Sequence, residues 1–361
     1  MTKGITIIFF WFISFFFSHL LAQTFTKITD QSNVIVTDSF PGGYQGTAWV
    51  DYNNDGLLDL FINNDYLYKN EGNGNFSKNL TFKGRTQSLN PTTISSGSSW
   101  ADYDNDGDLD MFSASSKSFL FRNEGNETFE RISTGVIGDS LANRGWTCVW
   151  ADYDNDGNLD LLIVHPANFV PGTPIPNLLF HNDGPPDYTF TKVTDFHFTT
   201  QLAPYTVATW SDYDLDGDVD LFIGSGPATG TPARDYLYKN MLKETDSVSF
   251  ERINDSPIGT DLQDGQVWNF IDYDNDADLD AFITNYGAAP NRFYKNDNGI
   301  FTSITTGMEL GSQSCLSNSW GDFDNDGYLD VVITSETKTY FFHNNGDGTF
   351  SSINNSVSVN G

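Results

Sequence analysis

The chain has 361 residues, a formal net charge of −30, and only 18 Lys and Arg against 48 Asp and Glu. With no basic stripe to meet phosphates, that balance excludes a nucleic-acid partner. The only two cysteines, Cys148 and Cys315, fall in the third and sixth of six repeats and lie far apart if those repeats ring an axis, so both are expected to be buried free thiols and stability must come from packing and bound ions.

The chain opens with MTKGITIIFFWFISFFFSHLLAQ. Lys3, the apolar stretch from Ile5 and the small Ala22 before Gln23 predict a secretory signal over 1–22. An uncleaved membrane anchor is the alternative, because the apolar run is near the lower length limit for a span. Residues 23–361 read as one repeat domain, exported to the cell surface or the medium. Just after the signal comes FTKI (25–28), a short strand pattern that recurs along the chain.

Six copies of a nine-residue pattern follow, Asp-x-Asp/Asn-x-Asp-Gly-x-Leu/Val-Asp, starting at Asp51, Asp102, Asp152, Asp212, Asp272 and Asp322. Each follows an aromatic residue by two positions: Trp49, Trp100, Trp150, Trp210, Phe270 and Trp320. Carboxylates at positions 1, 3, 5 and 9, with the position-7 carbonyl turned inward, supply the six to eight hard oxygens that Ca²⁺ takes at roughly 2.3–2.6 Å. Glycine at position 6 permits the sharp left-handed turn. The predicted side-chain ligands are Asp51, Asn53, Asp55 and Asp59; Asp102, Asp104, Asp106 and Asp110; Asp152, Asp154, Asp156 and Asp160; Asp212, Asp214, Asp216 and Asp220; Asp272, Asp274, Asp276 and Asp280; and Asp322, Asp324, Asp326 and Asp330. Up to six Ca²⁺ are expected, one per loop. Asn53 replaces a carboxylate in the first loop, and Ala277 stands where the fifth needs glycine, so the fifth is expected to be the weakest full-carboxylate site.

The windows hold 26 of the 48 acidic residues, which would repel one another strongly without cations. An EF-hand shares the first half of this spacing but requires Glu at position 12, where this chain has Ile62, Ser113, Ile163, Ile223, Ile283 and Ile333. Each loop runs instead into a short strand-forming stretch, such as LDLFI (58–62) or LDVVI (329–333), so it joins two strands. An Asx-rich hairpin turn that binds no ion is the plain alternative for one copy, and six copies in one ligand register argue against it.

After each loop comes a second marker: YLYKN (66–70), FLFRN (119–123), LLFHN (178–182), YLYKN (236–240), RFYKN (292–296) and YFFHN (340–344). An F-x-x-I/V strand follows, as in FERI (129–132) and FTKV (190–193), with FSKNL (76–80) the looser first copy. Four short antiparallel strands per unit, repeated about every 50 residues, predict an all-β chain folded as a β-propeller. The seven F-x-x-I-type strands against six metal loops leave open a six-bladed ring or a seven-bladed one whose last strands would follow NNSVSVNG (354–361).

These W-x-D-x-D-x-D-G-x-x-D loops and Y-x-N strands resemble the FG-GAP or VCBS repeats of integrin α-subunit head domains and many bacterial secreted proteins, from about Phe25 to Ile353. The resemblance implies a calcium-bearing propeller used for adhesion or for glycan or protein binding, with Asn53 and Ala277 as departures from the motif.

In a four-stranded blade the metal loops share one face with the third-to-fourth turns. The opposite face should carry HPANFVPGTPIPN (165–177) and GSGPATGTPARD (224–235), insertions of the kind that hold binding sites. Candidate ligand-face residues are His165, Asn168, Phe169 and Arg234, with Tyr286 and Arg292 beside them. Catalysis has little support: His181 and His343 occupy the Lys/Arg slot of the marker strand and read as repeat variation, and neither His165 nor His197 has a visible nucleophile. The expected function is a secreted or surface recognition module for a protein or glycan. A calcium-dependent polysaccharide lyase or hydrolase, or a structural segment of a larger surface protein, is the alternative.

Overall fold

A computed structural model describes residues 32–38, 46–62, 66–82, 95–115, 118–138, 145–166, 174–226, 232–287, 289–311 and 313–353. The expected signal (1–22), FTKI (25–28), Asn168, Phe169 and NNSVSVNG (354–361) lie outside the described residues. Among the described residues no helix is long and apolar enough to cross a membrane.

Six four-stranded antiparallel sheets follow one another along the chain as the blades of a β-propeller. In blade two the strands are Ser95–Ala101, Asp110–Ser115, Phe119–Asn123 and Phe129–Ile132. Every blade repeats this plan: the aromatic before the metal loop closes the first strand, position 9 opens the second, the marker forms the third and the F-x-x-I/V segment the fourth. In blade four these are Tyr205–Ser211, Asp220–Ser225, Tyr236–Asn240 and Phe250–Ile253.

In the inner blades the second strand is buried throughout, as in Asp160–Val164 and Asp220–Ser225, because neighbouring blades cover both its faces, whereas in blade six Val332, Thr334 and Ser335 are half-buried. Its continuous apolar run therefore replaces the in-out alternation of a half-exposed strand. Apolar clusters form between successive blades. Phe61 and Tyr52 of blade one pack with Met111 and Phe121 of blade two, and Phe222 and Tyr213 of blade four with Trp268 and Tyr294 of blade five. The connections between blades add wedges: Phe82, Ile137, Phe198, Ile258 and Met308 are all buried in these seams. Ahead of blade one, a short helix, Val34–Thr37, packs Val34 and Ile35 against Leu60, Ile62 and Tyr68 in the corresponding place.

Polar bonds complete each seam. The marker asparagine sends its side-chain N–H to the carbonyl of the position-2 aromatic in the preceding blade: Asn123 to Tyr52 at 2.7 Å, and Asn182 to Tyr103, Asn240 to Tyr153, Asn296 to Tyr213 and Asn344 to Tyr273, each at 2.8 Å. A buried amide bonded to the adjacent blade fixes its register as well as its distance. Cys148 and Cys315 are buried free thiols, as expected, with Cys148 pushed up to about 12 by burial.

Candidate metal centres

Each loop is pinned first by its own backbone. In blade two the N–H groups of Asp106 and Gly107 donate to Asp102 Oδ1 and Oδ2 at 3.0 and 2.9 Å, and the Asp108 N–H donates to Asp106 Oδ1 at 2.9 Å. Blades three to six repeat the pattern at Asp152, Asp212, Asp272 and Asp322. Position 9 is held from behind: Asp110 Oδ1 accepts from the Asn123 N–H at 2.7 Å and Oδ2 from the Tyr103 N–H at 3.1 Å.

The left-over oxygen that recurs from loop to loop lies at position 3. Oδ1 of Asp104, Asp214, Asp274 and Asp324 is buried with no hydrogen-bond partner. An orphaned carboxylate oxygen at the same place in four loops is costly unless a cation meets it. Positions 1, 3 and 9 come together in clusters such as Asp102–Asp104–Asp110 and Asp152–Asp154–Asp160, whose ligand atoms lie within 4.8 Å of one another. An all-oxygen set of this kind fits a hard divalent ion such as Ca²⁺.

Burial explains the electrostatics. The position-9 carboxylates are at most 1% exposed in every blade. Burial pushes Asp110, Asp160 and Asp220 up to about 8, Asp280 to about 7 and Asp59 to about 6, and raises Asp330. In Asp104, burial first and then Asp106 and Asp102 raise the carboxyl to about 6.

Two backbone positions per loop are left-handed, the expected position 6 and also position 4. Position 6 has φ of +83 to +96° at its glycines, and Ala277 adopts +75°. The strain expected of Ala277 is therefore present in the fold. Where a loop relaxes before closing on an ion, that strain opposes binding, so Ala277→Gly is expected to tighten calcium at loop five by up to about fivefold, the equivalent of roughly 1 kcal/mol. A crystal soaked at limiting calcium checks the ranking, and filling of loop five before loops two and four contradicts it.

Position 4 is also left-handed: Asn54, Asn105, Asn155, Asn275 and Asn325 have φ of +55 to +61°. Asparagine tolerates this region best among residues with a Cβ. In three loops it also reaches the next blade, from Asn54 Nδ2 to the Gly107 carbonyl at 3.0 Å, Asn155 to Gly217 at 3.1 Å and Asn275 to Gly327 at 3.0 Å. Blade four puts Leu215 there, at φ +59° and 54% exposed. Leu215→Asn is expected to stabilise the fold by about 1 kcal/mol, or ~2–4 °C in Tm. A melting curve unchanged by this substitution would show that the leucine costs nothing.

The basic residue of each marker strand faces the loops or their neighbours. Lys239 pairs with Asp214, with Asp216 at 3.2 Å and with Glu244 at 2.6 Å. Lys295 pairs with Asp274 and, at 3.0 Å, with Asp276. Lys69 is 3.7 Å from Asp55 and 2.6 Å from Glu127 of blade two, while Arg122 binds Glu124 and Glu130 instead of its loop. His181 and His343 occupy the same slot and enter their loops.

The third-to-fourth turns pack against the loops, as at Gly125, where an added Cβ would meet Asp108 Oδ2 at 3.2 Å, so the two share a face as expected. On the opposite face the ligand candidates separate. His165 is 2% exposed, its backbone N–H bonds Asn177 Oδ1 at 2.8 Å, and burial lowers its ring to about 4, so it is a neutral interior residue not presented to a ligand. Arg234 is exposed in a two-residue strand, Ala233–Arg234, paired with Leu262–Gln263 of the connection to blade five. Tyr286 donates its hydroxyl to Glu336 of blade six at 2.7 Å, and Arg292 begins the third strand of blade five, half-buried.

The FG-GAP-like repeat model matches residues 51–113, 102–163, 272–333 and 322–361, more than half of the chain. A repeat propeller with a carboxylate loop in every blade is the class that this geometry defines, and the chain belongs to the FG-GAP-like repeat family. A search of curated proteins finds no significant match. Among solved structures, a lectin from Agrocybe aegerita that recognises non-reducing terminal N-acetylglucosamine is 16% identical, with a TM-score of 0.56, covering 85% of this chain and 78% of its own. A protein from Lactobacillus plantarum is 10% identical (TM-score 0.49, 86% and 82% covered), and an exotype rhamnogalacturonan lyase 16% identical (TM-score 0.42, 72% and 48% covered). At these identities the likeness is one of fold.

Proposed function

We propose that this protein is a secreted or cell-surface propeller, stabilised by Ca²⁺ in its blade loops, that recognises a protein or glycan with the face opposite those loops. The carrying observation is the set of orphaned carboxylate oxygens in the blade loops. The blade loops hold the orphaned oxygens, while the connection of blade four ends in Ala233–Arg234, which pairs with Leu262–Gln263. Long connections carried on a rigid scaffold are where recognition tends to be placed. Export is supported by the N-terminal pattern of Lys3, an apolar stretch and Ala22.

A glycan array probed with and without EDTA tests this reading. Terminal N-acetylglucosamine is a reasonable first probe, given the fold-level neighbour that recognises it. Binding that Arg234→Ala weakens, with no turnover of acidic polysaccharides, supports the module. Release of unsaturated products in a lyase assay would replace it with the enzymatic alternative, and binding that maps to the metal-loop face would refute the assignment of faces.

A further inference from the structure

We propose that loops three and six are nitrogen-containing transition-metal sites, in which His181 and His343 supply an imidazole ligand and which select a first-row ion such as Zn²⁺ or Co²⁺ over Ca²⁺. The inference rests on the metal-loop reading and divides the six loops into two classes.

The two histidines stand where blades one, four and five have lysine. The lysines of blades four and five reach the carboxylates at positions 3 and 5, at the outer rim of the loop. The shorter, planar imidazole goes deeper. His181 Nδ1 lies 3.2 Å from Asp154 Oδ2 and 3.2 Å from Asp160 Oδ1, while its Nε2 is 3.9 Å from Asp156 Oδ2. His343 reproduces this in blade six, with Nδ1 3.3 Å from Asp324 Oδ2 and 3.1 Å from Asp330 Oδ1, and Nε2 3.9 Å from Asp326 Oδ2. Two blades that are not neighbours thus build the same constellation. In each, one ring nitrogen sits between positions 3 and 9, and Asp160 and Asp330 are buried.

Two ligands held about 2.1 Å from one ion, at tetrahedral or octahedral angles, lie about 3.0–3.4 Å from each other. The nitrogen-to-oxygen spacings fall in that range. Nδ1 of His181 is also buried without a hydrogen-bond partner, whereas Nδ1 of His343 is at hydrogen-bond distance, 3.1 Å, from Asp330 Oδ1; in both, a neutral imidazole with its proton on Nε2 presents the Nδ1 lone pair to the loop. The side chain is 28% exposed in both blades, so the ring edge stays open to solvent while Nδ1 faces inward. A nitrogen donor discriminates between ions: Ca²⁺ takes oxygen, whereas imidazole suits Zn²⁺, Co²⁺ and Ni²⁺. The lysine and arginine loops offer no such donor.

Co²⁺ titration of the whole chain, followed by visible absorption, tests the proposal, because ligand-field bands report an imidazole-containing first shell. Two Co²⁺ per chain are expected, displaced by stoichiometric Zn²⁺ and little affected by millimolar Ca²⁺. H181K/H343K installs the residue that three other blades already use, so the fold should persist, as an unchanged Tm in Ca²⁺ would show. Both Co²⁺ sites should weaken at least tenfold in this variant, while the oxygen-only loops keep their calcium. X-ray absorption at the Zn edge of the unmodified protein gives an independent reading. Equal Co²⁺ affinity in the variant, or a Zn²⁺ shell without imidazole scattering, overturns the proposal. Failure of the calcium reading would look different, with no Ca²⁺ bound by any loop whatever happens with Co²⁺.

Discussion

Removing divalent ions with EDTA should lower the melting temperature by at least about 10 °C relative to millimolar Ca²⁺. An ion that binds only the folded state stabilises by RT ln(1 + [L]/Kd), so even weak sites held at ten times their Kd contribute about 1.4 kcal/mol each. Even the four oxygen-only loops, acting on a domain of this size, sum to a large displacement, at ~2–4 °C per kcal/mol for somewhat smaller domains. The structural reason is local: loop carboxylates, including the orphaned Oδ1 atoms of Asp104, Asp214, Asp274 and Asp324, are crowded together at one end of every blade. Coincident melting curves with and without chelator would remove calcium from the account.

The second large effect concerns pH, and its size depends on the ion. In the metal-free protein the position-9 carboxyls are displaced upward by burial, to about 8 at Asp110, Asp160 and Asp220 and about 7 at Asp280. Between about pH 4 and pH 8 the folded chain therefore holds protons that the unfolded chain has released. Stability in EDTA must then fall as pH rises through that interval and level off above it. Metal binding displaces those protons, so in saturating Ca²⁺ the folded chain holds no excess over the unfolded one and stability stays nearly level over the same window. The two Tm profiles should meet near pH 4–5 and diverge by more than about 5 °C at pH 8. Parallel profiles would show that the buried carboxylates neither retain protons in the apo protein nor bind the ion.

Much of this architecture was legible in the sequence because the repeat superposes six readings of one local pattern. LDLFI (58–62) became the strand Asp59–Ile62, and the markers YLYKN and FLFRN became third strands at Tyr66–Gly72 and Phe119–Asn123. Strand and loop were fixed by spacings of a few residues, which one chain shows directly. What stayed hidden depends on neighbours in space. Nothing local distinguishes the marker asparagine as a bond to the preceding blade, as from Asn182 to Tyr103. The left-handed backbone at position 4 could have been suspected from the asparagines at 54, 105, 155, 275 and 325, but Leu215 obscures the pattern. His165 reads as a polar loop residue until its backbone bond to Asn177 and its burial are seen. His181 and His343 read as variation in a basic slot, because only the folded hairpin shows that an imidazole enters the loop where a lysine stays at its rim.

The central claim is that every blade carries a cation site made of its own loop, and counting bound calcium tests it most directly. Equilibrium dialysis of the chelator-stripped protein, with Zn²⁺ and other transition ions excluded and Ca²⁺ raised to several millimolar, should reach at least four Ca²⁺ per chain from the oxygen-only loops. It should approach six where loops three and six also accept calcium. Asp104→Asn, which gives loop two the position-3 residue that Asn53 supplies in loop one, should weaken one site and leave the plateau unchanged, since it removes the charge of the residue that bears the orphaned oxygen. A protein that retains no calcium above the level of the surrounding buffer, at any of these concentrations, would contradict the account.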